Sequence, residues 1–248
     1  MRLPGACLLV ALYAGGGAAT VAAANPSASP APAAGVSAAA VLPGSTSSGS
    51  PDTAALTVAW WQWAMDLPIE PVLDQTGALC ELGDQGEVWF LAGTDGTRDD
   101  ITRTCTVPLG VRLLVPVATR YARRPFAPGK RDPVPDCAQL QDKAAMPPEG
   151  LLRARVTLDG VEIATGSEHR VPSPDCFDPY PGLPAPEDKP PPLAASDGYW
   201  HLLEPLPPGE HVLEVDAHYR REGQGGFEVV QRYRYVLQVG MGANYVWR

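Results

Sequence analysis

The spacing of large apolar side chains changes along the chain, and each spacing predicts a different element. One stripe recurs at intervals of four, three and four residues: Leu56, Trp60, Trp63 and Leu67. This is the spacing of one helical face, so residues 53–67 are predicted to form a helix that ends before Pro68, which cannot continue it. We expect Trp60 and Trp63 to pack on a sheet, with Trp61 at the edge of that contact.

Beyond this helix, apolar and polar residues alternate over short runs, which is the pattern of half-buried β-strands. The predicted strands are 87–92, 102–107, 111–117, 151–158, 161–163, 199–203, 211–219 and 227–239. Turn residues separate them, and Asp159-Gly160 is a strong signal for a two-residue hairpin turn. A short helix is predicted over 136–145.

The last two predicted strands show which side faces the core. One face of the final strand is apolar: Phe227, Val229, Tyr233, Tyr235, Leu237 and Val239. Arg232 and Arg234 lie on its opposite face. Glu214, Asp216 and His218 share a face of the strand before it. We expect these charges to pair across the two strands, each pair contributing at most about 1 kcal/mol.

These elements predict a mainly β fold: a single β-sandwich-like domain over residues 52–248, with the N-terminal amphipathic helix packed on it. A proline-rich loop over residues 172–192 interrupts the strands. Long loops of this kind inside compact domains are often functional. We therefore expect the loop to lie near any ligand surface.

The first residues predict export. Arg2 precedes an uncharged apolar run, and Ala22-Ala23-Ala24 supplies the small residues of a cleavage site, so residues 1–24 are predicted to be a secretory signal peptide. Residues 25–51 are Ala, Pro, Ser and Gly with few large apolar side chains, and we expect them to form a disordered tether. No later segment has the length of a transmembrane helix. The predicted compartment is extracellular or periplasmic.

The charge balance limits the classes of partner. The chain has a formal net charge of −9, and both nucleic acids and anionic membrane surfaces require basic patches. The sequence therefore disfavours both as partners. It leaves a glycan, a peptide or a component of the cell envelope as the expected class of partner.

Four cysteines remain after the predicted cleavage: Cys80, Cys105, Cys137 and Cys176. An even number in an oxidising compartment predicts disulfides, and four cysteines allow three connectivities. We favour Cys80–Cys105 and Cys137–Cys176, because each pair brackets a continuous piece of β pattern. A zinc site is disfavoured because the chain has no C-x-x-C motif and no histidine near these cysteines at ligand spacing.

A set of short motifs spans most of residues 55–215. They are Trp60-Trp61-Gln62-Trp63, Gly86 with Val88-Trp89-Phe90-Leu91-Ala92-Gly93, Thr102-Arg103-Thr104-Cys105 with Val107-Pro108 and Gly110, Asp197-Gly198-Tyr199-Trp200, and Pro205-Leu206-Pro207-Pro208-Gly209 before His211. In this combination the chain resembles a group of bacterial exported proteins of unassigned function. The resemblance implies export and a single domain, and it implies no catalytic residues.

Signatures of catalysis are mostly absent from the sequence. There is no nucleophile elbow, zinc-protease helix, phosphate-binding loop or dinucleotide fingerprint. The four histidines, His169, His201, His211 and His218, are scattered, and their spacing fixes neither a metal site nor a triad, although folding can bring distant residues together.

One acidic loop is a candidate calcium site. Asp95, Asp99 and Asp100 lie close in sequence, and Gly96 permits a tight bend. Oxygen-rich loops can hold calcium in extracellular β proteins. The alternative is an ordinary acidic hairpin loop, because the ligand spacing of a known calcium loop is missing. No other cofactor is expected.

A second candidate is the predicted strand that follows the proline-rich loop. Alternation places Asp197, Tyr199 and His201 on one side and Trp200 on the other. If Tyr199 and His201 face solvent, the segment provides an aromatic and polar surface for a ligand. The alternative is that one side belongs to the core, because large aromatic side chains are usually buried.

Two classes of function remain open. The favoured class is a non-enzymatic binding or envelope-associated protein, with a ligand surface formed by residues 197–201 and the loop 177–192. The alternative is a secreted, carboxylate-dependent hydrolase directed at glycans, because such enzymes need two carboxylates about 5–10 Å apart in the fold and no sequence motif.

Overall fold

The computed structural model describes residues 51–82, 85–96, 100–125, 133–163, 166–184 and 190–240. The predicted signal peptide (1–24) and the predicted tether (25–51), apart from Pro51, therefore lie outside the described residues. Among the described residues, no helix is long and apolar enough to cross a membrane.

The eight strands divide between two β-sheets, and two helices accompany them. In chain order they are α1 (Pro51–Asp66), β1 (Val88–Phe90), β2 (Ile101–Val107), β3 (Arg112–Arg123), α2 (Cys137–Ala144), β4 (Leu151–Leu158), β5 (Val161–Ile163), β6 (Ala194–Leu203), β7 (Gly209–Arg221) and β8 (Phe227–Val239). The three-stranded sheet has the order β1-β3-β6, and the five-stranded sheet has the order β2-β8-β7-β4-β5. The mainly β, sandwich-like fold is confirmed.

The five-stranded sheet is built around the β7–β8 hairpin. Antiparallel pairing runs from Gly209 with Val239 to Arg221 with Phe227, and β2 adds to β8 in parallel. Strand β4 pairs with the other side of β7, and β5 folds back on β4 after the predicted Asp159-Gly160 turn. The alternation of buried and exposed residues along β7 and β8 gives this sheet one apolar face and one polar face.

The apolar face of the five-stranded sheet packs on the three-stranded sheet, which forms the main core. Leu113, Val115 and Tyr199 from the three-stranded sheet belong to the same buried cluster as Leu213 and Tyr235 from the five-stranded sheet. At about 25 cal/mol per Å² of apolar surface buried, such a core is the dominant source of stability.

Helix α1 covers the other side of the three-stranded sheet, so the domain has three layers. Trp60 and Trp61 pack there in one buried cluster with Leu114 and Trp200. The expectation that Trp61 lies at the edge is wrong: Trp61 is buried and stacks on Tyr121, with ring centroids 4.8 Å apart.

Trp63 lies further from the centre of this contact than expected. It is half-buried, its ring lies 5.7 Å from that of Phe90, and its Nε1 donates to the Leu82 carbonyl. The helix therefore docks mainly through Trp60, whose Nε1 donates to the Leu91 carbonyl at 2.8 Å.

Strands β3 and β6 are both longer than the alternation pattern predicts. They pair antiparallel from Leu113 with Leu203 to Arg123 with Ala194, with a register shift between Pro116 and Ala118. Proline lacks the N–H that a ladder needs, so an irregularity at Pro116 is expected. The early part of β6, Ala194–Gly198, has weak β propensity, and burial between neighbours makes it a strand.

The predicted disulfide pairing is confirmed. Cys80 bonds to Cys105 and Cys137 bonds to Cys176, with Cα–Cα distances of 5.9 and 5.7 Å. The first bridge ties the segment after α1 to β2. The second ties the start of α2 to the start of the proline-rich stretch.

Candidate functional site

The residues predicted to bind a ligand lie in the interior. Asp197, Tyr199, Trp200 and His201 are 2%, 1%, 1% and 7% exposed. The condition for a ligand surface, that Tyr199 and His201 face solvent, is therefore not met, and the alternative that these side chains belong to the interior holds. The reason is long-range, because both faces of the three-stranded sheet are covered: Tyr199 packs in the main core between the sheets, and Trp200 packs in the cluster below α1. The segment 171–177 in addition pairs with the free edge of β6, with Val171 N donating to Gly198 O at 2.7 Å.

Asp197 and Tyr199 bind a segment of their own chain. Asp197 Oδ2 accepts a hydrogen bond from Met146 N at 2.7 Å, and the Tyr199 hydroxyl donates to Met146 O at 3.0 Å. Asp197 also forms an ion pair with Arg170, whose guanidinium approaches to 2.6 Å. Burial is the main cause that raises the pKa of Tyr199. The arrangement clamps residue 146 onto β6.

Arg103 has a comparable structural role. It is 1% exposed and donates to the carbonyls of Asp74, Ala92 and Gly93 at 2.7–2.8 Å. The Tyr235 hydroxyl accepts from it at 3.1 Å. The motif residues Arg103 and Ala92-Gly93 are therefore explained by one buried network, with no ligand required.

The acidic loop is only partly described. Asp99 lies outside the described residues, whereas Asp100 starts the approach to β2 with a positive φ of 51°, so the calcium site stays a prediction. Within the described part of the chain, one set of three metal-ligand side chains lies within 4.8 Å: Cys137, Asp175 and Cys176. Its two sulfurs are bonded to each other, so it offers no thiolate to a metal.

The proline-rich loop is anchored at both described ends. Phe177 pairs with Ala194 through backbone hydrogen bonds, and Gln62 of α1 donates to the Asp178 carbonyl at 2.9 Å. Arg124 donates to the Pro191 carbonyl at 3.3 Å. Residues 185–189 lie outside the described residues. The described part holds one strongly exposed apolar side chain, Leu183, at 63%.

Two histidines, His211 and His218, contact carboxylates near the surface. His211 contacts Asp159 at 2.7 Å and the Pro207 carbonyl at 3.0 Å. His218 contacts Glu228 on the neighbouring strand. His211 therefore links the 207–209 turn to the β4–β5 turn, a structural role.

The other two histidines are in contact with each other. His169 ends a 3-10 turn, Ser167–His169, and His201 lies in β6. Their ring centroids are 4.0 Å apart and the rings are tilted by 39°. Burial, followed by the neighbouring His169, lowers the pKa of His201 to about 3. Burial also lowers the pKa of His169, so both rings are kept in the neutral form near pH 7.

The polar face of the five-stranded sheet carries a depression of about 510 Å³. Four strands and the residue before β2 supply its polar lining: Asp100, Thr102, Arg155, Thr157, Glu214, Asp216, Arg232 and Arg234. Guanidinium groups on β4 and β8 flank the carboxylates of β7. We call this surface the outer depression.

Charge pairs within the outer depression are loose. Arg234 and Glu214 approach to 3.6 Å, as do Arg232 and Asp216, so the predicted cross-strand pairs form. Arg153 makes a closer contact with Asp216 at 2.7 Å, and Thr157 donates to Glu214 at 3.2 Å. The side chains of Arg234 and Glu214 are 44% and 54% exposed, which leaves both open to a ligand.

Sequence reasoning found only half of this surface. The alternation on β7 and β8 identified Glu214, Asp216, Arg232 and Arg234, because a hairpin fixes which residues are neighbours. Arg155 and Asp100 were missed as part of it, since the placement of β4 and β2 beside the hairpin depends on pairing distant in sequence.

No protein family model matches the chain, and neither a curated protein nor a solved structure shows significant similarity to it.

Proposed function

We propose that this is an exported, non-enzymatic binding protein, and that the outer depression is its ligand surface. The observation that supports this proposal is the depression of about 510 Å³, which is lined by guanidinium, carboxylate and hydroxyl groups. Ligand sites are concave and hold a few convergent polar groups. The size lies within the roughly 300–1,000 Å³ range of small-ligand sites.

The chemistry of the lining favours a polar ligand. Arginine offers donors in a rigid fork, and carboxylates offer only acceptors. Arg234 and Glu214 stand 3.6 Å apart, which is beyond a good hydrogen bond. A ligand group with both a donor and an acceptor, such as a hydroxyl or an amide, can therefore bridge them.

The hydrolase alternative receives less support from this surface. A general acid needs a raised pKa, which burial in an apolar setting provides. The side chains of Glu214 and Asp216 are 54% and 42% exposed, and each faces an arginine. This environment suits binding better than proton donation.

Export is supported by two independent features. The four cysteines after residue 24 form two disulfides, and disulfides persist in oxidising compartments. The N-terminal pattern predicts cleavage after Ala24. Mass spectrometry of the secreted protein should place Asn25 at the N-terminus, and recovery of an intact Met1 from the cytoplasm would contradict export.

The binding proposal is tested by an array of glycans and peptides probed with the wild type and an Arg155→Gln/Arg234→Gln variant. Hydrogen bonds to charged groups contribute about 1.5–3 kcal/mol each, so binding should weaken by at least about tenfold per guanidinium removed. Arg220→Gln is the matched control, because Arg220 lies on the same polar face outside the depression.

Binding is compared only between variants whose thermal unfolding is the same as that of the wild type. Equal binding by the double variant and the wild type would remove the outer depression from consideration. Hydrolysis of any arrayed compound that is abolished by Glu214→Gln would support the enzyme instead.

A further inference from the structure

The outer depression carries most of its charges in two neighbouring columns of opposite sign. Strand β8 supplies Arg232 and Arg234. Strand β7 supplies Asp216 and Glu214, and each of these carboxylates lies opposite one of the two arginines. Residues two apart on a strand lie on one face about 6–7 Å apart, and neighbouring strands are about 4.7–4.9 Å apart. Two guanidinium groups therefore stand side by side with two carboxylates on the polar face of the sheet.

The charges of the described lining cancel, although the chain as a whole has a formal net charge of −9. Arg155 of β4 adds a third guanidinium group to the two of β8, and Asp100 before β2 adds a third carboxylate to the two of β7. A ligand of a single charge sign meets as many like as opposite charges there, and like charges across an interface are unfavourable. A ligand with groups of both signs can place each group on the column of opposite charge.

The ion pairs of the depression leave their groups accessible to such a ligand. Arg234 and Glu214 are 3.6 Å apart, and their side chains are 44% and 54% exposed. Exposed ion pairs of this kind contribute little to stability, so a ligand that inserts between the two groups displaces little. A carboxylate can form two parallel hydrogen bonds with a guanidinium group, and an ammonium group donates three hydrogen bonds, which carboxylates accept.

The described lining offers no exposed aromatic face on which a sugar ring could stack. Its aromatic residue, Tyr233, is 4% exposed, and the Tyr233 hydroxyl donates to the Pro116 carbonyl of the three-stranded sheet. Ile101 and Val215, the apolar residues of the lining, are also buried. The side chains that a ligand meets are therefore charged or carry hydroxyl groups, which favours a charged ligand over a neutral glycan.

We propose that the ligand is a peptide that carries carboxylate and ammonium groups together. Its carboxylates bind the arginines of β8, and its ammonium groups bind the carboxylates of β7. The inference rests on the proposed function, because it names the ligand class of the same surface. An extended peptide brings alternate side chains to one side at about 6–7 Å, the spacing of the residues in a strand. Two side chains of like charge in the ligand can therefore follow one column.

Fluorescence anisotropy of four labelled probes with the mature protein tests the proposal. The first probe is an eight-residue peptide with blocked termini that contains both lysine and glutamate. In the second, glutamine replaces each lysine, and in the third, glutamine replaces each glutamate, so each carries one charge sign. The fourth is the neutral oligosaccharide chitohexaose. The mixed peptide should bind at least about tenfold more tightly than either single-sign peptide, because it alone forms hydrogen bonds to charged groups of both columns.

Two neutralising variants give opposite readouts. Glu214→Gln leaves an excess of guanidinium groups and should shift the preference toward the acidic peptide. Arg234→Gln leaves an excess of carboxylates and should shift the preference toward the basic peptide. Arg220→Gln lies outside the depression and should keep the preference for the mixed peptide. The same preference in both neutralising variants, or a single-sign peptide that binds the wild type as tightly as the mixed peptide, would overturn the inference.

The remaining outcomes separate this inference from the proposed function. Binding of chitohexaose alone, lost in the Arg155→Gln/Arg234→Gln variant, would overturn the peptide ligand and keep the outer depression as the ligand surface. Binding of none of the four probes would also overturn the peptide ligand, and the array of glycans and peptides would then decide the proposed function by itself.

Discussion

At the scale of single residues, Asp197 joins three parts of the chain through one buried carboxylate. It accepts from Arg170 and from the backbone N–H groups of Met146 and Gly198. Arg170 is 28% exposed against 2% for Asp197, so the pair is only partly shielded from water. Removing the carboxylate leaves a guanidinium and two buried N–H groups without their acceptor.

We therefore predict that Asp197→Ala lowers the free energy of unfolding by about 3–5 kcal/mol, the cost of breaking a buried ion pair. Asp216→Ala is the matched control, since Asp216 is 42% exposed in its ion pairs. It should cost no more than about 1 kcal/mol. Urea unfolding of both variants measures the difference, and equal losses would contradict the buried role of Asp197.

His201 predicts a pH dependence of stability. Its folded pKa is lowered from 6.5 to about 3 by burial and then by His169. Below the unfolded pKa the unfolded chain binds a proton that the folded chain does not, so stability falls as pH decreases from 6.5 toward 3. The loss from this group at about pH 4.5 is about 2–3 kcal/mol relative to pH 7.

The measurement is a comparison of urea unfolding at both pH values for the wild type and His201→Gln. Other carboxylates titrate in both proteins, so the contribution of His201 is the difference between their pH dependences. If the His201→Gln variant kept the full pH dependence of the wild type, the loss of stability at low pH would come from other groups and the prediction would be wrong.

At the scale of elements, the docking of α1 depends on Trp60. Trp60 is 1% exposed, contacts Trp200 at a ring-centroid distance of 5.3 Å and hydrogen-bonds Leu91. Trp60→Ala should cost about 3–5 kcal/mol. Trp63→Ala should cost less, because that side chain is half-buried. Thermal unfolding measures the loss of stability in each variant. A larger loss in Trp63→Ala than in Trp60→Ala would show that the helix docks through Trp63.

The sequence predicted individual helices and strands better than it predicted which of them pack against each other. The period of α1 and the alternation of β7 and β8 are local, so the helix, the hairpin and its Arg234–Glu214 pair could be predicted. Helical spacing could not separate Trp60 and Trp61, since adjacent residues both reach a flat sheet when the helix lies along it. The sequence pattern also could not show that residues 171–177 pair with the edge of β6, because that contact joins segments far apart in sequence.

At the scale of the whole molecule, the two disulfides act on different regions. Cys80–Cys105 belongs to the main core, with Cys80 5% and Cys105 1% exposed. Cys137–Cys176 lies at the periphery, where it joins α2 to the proline-rich loop. The two bridges close loops of similar length, with sequence separations of 25 and 39.

Chain entropy alone predicts that each bridge contributes about 3–4 kcal/mol to the free energy of unfolding. The different surroundings of the two bridges should make the cost of removing them unequal. Cys137→Ser/Cys176→Ser leaves two half-exposed hydroxyls that water can solvate, so the loss should stay near that value. Cys80→Ser/Cys105→Ser also buries two hydroxyls in an apolar cluster, which adds about 1–3 kcal/mol for each one left unsatisfied. Urea unfolding of the two double variants, each compared with the oxidised wild type, measures the gap. If the peripheral pair proved the more costly, the proline-rich loop and α2 would be integral to the cooperative fold.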